Sequence, residues 1–170
     1  MNTALTQAQQ LATHVSINFS SITSDFLSII ILAGALFIFA RYIGRGPFVA
    51  LIVSLYSGLA LYTIFPFMHY LPSAPARTAL ISDVALFIGL SAITYTILRR
   101  VVVSDFISLG TISLVILSLL GAGFLFALAY QVFPVRAVHS FTPAINALFA
   151  PKTYFFWWIS APLIGLFALT

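Results

Sequence analysis

Four long stretches of this chain, residues 26–42, 48–68, 80–98 and 107–133, are apolar almost throughout, and the segments between them gather Pro, Gly, Ser and Arg. A helix crosses a hydrocarbon core of about 30 Å with roughly 20 apolar residues, the usual range being about 17 to 25. Each of the four meets that length. A fifth stretch, 154–169, sits at the short limit and contains Pro162. The expected fold is therefore all-α: a polytopic helical membrane protein with four clear transmembrane helices and, on the strength of 154–169, a fifth.

Composition points the same way. The chain is 62% hydrophobic and only 6% charged, whereas about 25% of the residues in soluble domains are charged. No separate soluble domain fits. Residues 25–170 read as one helical membrane domain. Residues 4–22 carry Leu5, Ala8, Leu11, Ala12, Val15, Phe19 and Ile22 at helical spacing, with Gln7, Gln9, Gln10, Thr13 and Ser16 opposite. Residues 1–24 are thus expected to form an amphipathic segment lying across the mouth of the bundle or in the interface. They hold no Lys or Arg, so the basic leader of a cleaved signal is missing and this segment is expected to be retained.

The seven basic residues stand beside the apolar runs and form no stripe. This is the pattern of membrane boundaries and excludes nucleic acid as the expected partner. The expected surroundings are the lipid bilayer of the cell membrane and a membrane-protein partner or a second copy of the chain. With the N-terminus outside, the inner loops hold Arg41, Arg45, Arg99 and Arg100, and the outer ones hold Arg77, Arg136 and Lys152. Basic residues favour the inside, so the N-terminus is placed outside and the C-terminus inside.

Each of the three acidic residues follows a serine ahead of an apolar run: Ser24-Asp25, Ser82-Asp83 and Ser104-Asp105. Side-chain oxygens there accept from first-turn N–H groups, and the helix dipole favours the negative charge. All three are expected to cap helix starts. Asp83 is the one with an alternative, an ion- or proton-handling role, because Leu80 and Ile81 precede it. The stretch Arg41-Tyr42-Ile43-Gly44-Arg45-Gly46-Pro47 raises a second alternative. It has neither the spacing nor the strand-to-helix setting of a phosphate-binding loop. The glycines suit a helix C-cap and tight turn and Pro47 the first turn of the next helix, with Arg41 and Arg45 facing lipid phosphates. The competing reading is a specific anion or headgroup site. Asp83, Arg45 and Arg41 are accordingly the candidate functional polar residues.

Nothing else suggests chemistry. There is no cysteine, so thiolate nucleophiles and thiolate metal sites are excluded. His14, His69 and His139 include no close pair, and no serine stands in a nucleophile elbow. No catalytic residue, metal or cofactor is expected, and the chain does not read as an enzyme. Small residues recur four apart as Ala50, Ser54 and Gly58, as Ala85 and Gly89, and as Ser118 and Ala122. Such rows let helices approach closely in lipid, here within the bundle. Residues 134–152 are too polar and proline-broken to span and read as an interfacial half-helix. They lead into Tyr154-Phe155-Phe156-Trp157-Trp158, rings suited to headgroup level.

Asp25 ahead of the first helix, Arg45-Gly46 and Phe48 at the second, Gly110, Gly121 and Gly123 around the fourth, and the Ser- and Pro-containing segment 140–148 form a recognisable order. In this layout, over residues 25–149, the chain resembles the colicin V production protein family. The resemblance implies a small inner-membrane protein tied to secretion or envelope homeostasis, with no catalytic residues to carry over. The expected function is that of a scaffold or accessory subunit. The alternative is a small transporter or channel subunit, with Asp83, Tyr56, Tyr62 and Tyr95 lining a polar path.

Overall fold

The computed structural model describes residues 26–101 and 110–169. The amphipathic segment 1–24 and the capping roles of Asp25 and Asp105 lie outside them. Among the described residues six α-helices follow one another: α1 (Phe26–Ile43), α2 (Arg45–Thr63), α3 (Ala76–Val101), α4 (Thr111–Gln131), α5 (Pro143–Phe149) and α6 (Lys152–Leu169). Short 3₁₀ turns at Met68–Tyr70 and Pro134–Ala137 complete the regular structure, and no strand occurs among the described residues. All helices but α5 are long and apolar enough to cross a membrane. The protein is an all-α, polytopic membrane protein.

Local chemistry sets the helix ends. Gly44 alone separates α1 from α2, and its φ of 112° lies in the left-handed region that only glycine enters at no steric cost. Its carbonyl accepts the Phe48 amide at 3.2 Å, opening α2. Gly46, expected to share the turn, is instead helical and buried. α2 stops at Thr63 rather than at 68. Pro66 disfavours helical geometry at Phe65, and the Ile64 amide closes the helix on Ala60. α3 starts at Ala76 rather than at 80, because the Pro75 carbonyl accepts the amides of Thr78 and Ala79 at 2.9 and 3.1 Å. α4 opens at Thr111 after an extended Gly110, later than the expected 107. Pro162 does not end α6. It is buried inside the helix, where a lost backbone bond is tolerated in membrane helices.

α2 pairs with α3, and α4 with α6. Gly123 of α4 meets Trp158 near the start of α6, while Leu117 and Leu120 meet Gly165 near its end, so these helices are antiparallel. α1 enters between α2 and α4, where Leu36 and Ala40 join Phe48, Val49, Ile52, Leu114, Leu117 and Ala122 in one core cluster. A second cluster unites Leu55, Tyr62, Phe87, Phe124, Leu128 and Phe133. Burial divides the spans: half of the most apolar window is buried in α2 and α4, against 11% in α1, α3 and α6. α2 and α4 are the inner helices.

The small-residue rows divide in the same way. Ala50, Ser54 and Gly58, and likewise Ser118 and Ala122, are buried. A Cβ on Gly58 would lie 2.0 Å from Ser91 Oγ, so α2 and α3 are in backbone-level contact there. Ala85 and Gly89 do not pack within the bundle as expected. Both are exposed, and a Cβ on Gly89 would meet nothing within 4 Å. Spacing shows that a helix side is small, not which way it faces.

Candidate functional site

Asp83 is not a helix cap. α3 begins seven residues before it, and Ser82, its expected partner in capping, donates its hydroxyl backward to Thr78 O at 2.8 Å. The acidic side chain is half-buried and lies within reach of a side-chain hydrogen bond from the Tyr62 hydroxyl of α2. Tyr62 is itself buried, and its ring meets Phe133 edge to face at 5.4 Å, as does Phe87. Asp83 therefore sits within α3 beside Tyr62 and its aromatic neighbours rather than at the helix start. The helix start was misjudged because Pro75, not Ser82, supplies the first acceptor.

The tyrosines expected to line a polar path are separated among three interfaces. Tyr56 stacks on Phe124 at 4.5 Å and donates to Ile159 O, tying α2 to α4 and α6. Tyr62 faces α3. Tyr95 of α3 contacts Phe39 of α1 at 6.2 Å. Hydroxyls within the spans are turned back onto their own helices: Ser54 to Leu51 O, Ser57 to Val53 O, Thr94 to Leu90 O and Ser118 to Leu114 O. Ser91 Oγ, pressed against Gly58, is buried without a partner among the described residues.

Near the end of the bundle that holds Asp83, α5 is locked to α4 and α6. Tyr130 donates to Asn146 Oδ1, and Asn146 Nδ2 donates to Phe141 O at 3.2 Å. Gln131 Nε2 donates to the carbonyls of Phe149 and Ala150 at 2.6 and 3.0 Å, and Trp158 Nε1 to that of Leu148 at 3.2 Å. The last carbonyls of α5, which no intrahelical donor can reach, are thus met by side chains. Ile145 and Phe149 are buried against Ala127 and Tyr130. The half-helix expected in 134–152 is present as α5. Its lock escaped sequence reading, although Tyr130, Gln131 and Asn146 are polar residues in apolar stretches, and such residues need partners.

At the opposite end, Arg41 closes α1 and Arg45 opens α2. With Ala40, Gly44, Thr111 and Leu114 they line a cavity of about 220 Å³ whose wall is mostly polar. Both arginines are exposed. The structure brings together Arg41, Arg45 and the start of α4, and it sets Asp83 apart from them. His69 lies against Tyr70 and His139 against Phe141. No group of three metal-ligating residues occurs among the described residues.

No family model, curated protein or solved structure matches the chain.

Proposed function

We propose that the protein is a membrane-embedded scaffold or accessory subunit of the cell membrane and not an enzyme, with its N-terminus outside and C-terminus inside. One observation carries this reading. The hydroxyls of Ser54, Ser57, Thr94 and Ser118 are turned back onto their own helices, whereas α1, α3 and α6 turn large apolar residues outward, among them Ile30, Ile31, Ile81, Ile88, Ile93 and Phe167. Such a surface suits lipid and a membrane-protein partner or second copy, while Tyr56, Tyr62 and Tyr95, expected to line a polar path, face three different interfaces. The colicin V production layout fits this reading and would tie the subunit to secretion or envelope homeostasis.

Purification of the full chain from native membranes in mild detergent tests the proposal. A stoichiometric partner that survives purification is the expected result. Solute flux from the isolated protein in liposomes would overturn it in favour of a transporter. In that case the Tyr62–Asp83 pair is the first place to look, since an ionisable residue in a span commonly marks a proton or ion path. Topology is tested separately by reporters at both termini, which should report opposite sides. Reporters on the same side would mean that α6 does not cross.

A further inference from the structure

Among the described residues, the charges lining the Arg41–Arg45 cavity have one sign. Arg41, Arg45 and Thr111 are among its lining residues. α2 and α4 both begin here with no acidic residue in the first turn and no side-chain cap, so their open amides and positive dipole ends add to the same field. Arg45 is a cation at the positive end of its own helix, which is unfavourable unless an anion compensates it. Among the described residues neither arginine has an ion-pair partner. The single-residue joint at Gly44 keeps Arg41 and Arg45 at one cavity although they belong to different helices.

We propose that this cavity binds a phosphate group, presented by an anionic phospholipid headgroup or as free phosphate. Planar guanidinium forks match phosphate oxygens two at a time, and Arg is suited to this geometry as Lys is not. The cavity of about 220 Å³ has room for a phosphate with its ester carbons. It lies where α1 ends and α2 and α4 begin, the level at which headgroups meet a spanning bundle.

The test uses the full chain in neutral detergent, with phosphatidylglycerol, phosphatidylcholine and inorganic phosphate as probes. Retention is read by native mass spectrometry and stabilisation by the thermal midpoint. Wild type should retain phosphatidylglycerol over phosphatidylcholine about tenfold or more, the scale of charge-assisted hydrogen bonds. Arg41→Gln with Arg45→Gln should lose the preference, and Arg99→Gln with Arg100→Gln, an equal change of charge in the last turn of α3, should keep it. Arg41→Lys with Arg45→Lys should fall between, and serves if the glutamine pair does not fold. Inorganic phosphate that displaces the lipid and raises the midpoint by itself identifies the free anion as a ligand. Indifference to phosphate with the lipid preference intact identifies the headgroup. Equal loss from both arginine pairs, no preference in wild type, or a lysine pair equal to wild type would overturn the site. So would binding seen only after Asp105→Asn, because the chain's own carboxylate would then be the anion.

Discussion

Gly58 and Gly89 belong to similar rows of small residues on neighbouring helices, and their surroundings are opposite. Gly58 is pressed onto Ser91 so closely that no side chain fits, whereas Gly89 faces open space. In lipid, apolar surface gains little by leaving the solvent, so close approach of backbones must hold helices together. The α2–α3 contact uses that principle inside the molecule. The outer row of α3, Ala85 and Gly89, is likewise small, and among the described residues nothing lies within 4 Å of a Cβ on Gly89. The difference shows which small-residue contacts belong to the fold and which are left for lipid or another protein.

The largest effect should come from filling the inner contact. Gly58→Leu places a branched side chain where even a Cβ is 3.0 Å from Ser91 Cα. It should cost about 3 kcal/mol or more, the upper range for overpacking, seen as a lower unfolding midpoint in detergent. Ser91→Gly in the same chain should recover part of that loss, and failure to do so would mean that the clash lies elsewhere. Tyr62→Phe comes next. It removes the hydroxyl beside the half-buried Asp83 and should cost about 0.5 to 1.5 kcal/mol, the net worth of a typical hydrogen bond. Asp83→Asn should be milder, because the amide oxygen still accepts.

Tyr130→Phe removes the donor to Asn146 and should cost about 1 kcal/mol, with the loss concentrated in α5. Hydrogen exchange localised to 138–150 would check this, and uniform acceleration through α4 would contradict it. The smallest effect belongs to Gly89→Leu, expected within about 0.5 kcal/mol as for surface positions free of special contacts. Loss of a copurifying partner or of a dimer in that variant, with stability unchanged, would sharpen the comparison most, since it would show that the outer row is occupied after all.

The spans were legible because their signal is length, and length is fixed by the bilayer. Their ends were less so. Proline acts on both sides of itself, and Pro66 and Pro75 moved two boundaries that hydropathy alone placed too late. Asp83 was misread for the same reason, since a Ser-Asp pair resembles a cap only when the helix start is taken to lie beside it. The arginines at 41 and 45 were legible as a boundary turn. That they share a cavity with Thr111 was not, because nothing local links residue 45 to residue 111. The α5 lock had a faint signal in Tyr130, Gln131 and Asn146, and its geometry depends on a fold that brings α5 back onto α4.

The Gly44 joint also bears on how the chain is made. With one residue between them, α1 and α2 have no loop to thread through the membrane after the first helix has settled. Entry as a hairpin, both legs together and with the arginines at the fold of the pin, is the expected route. A tag or protease site inserted at 44 must therefore break the hairpin before it can be displayed, whereas the connection at 71–75, which contains no helical residue, offers room for one.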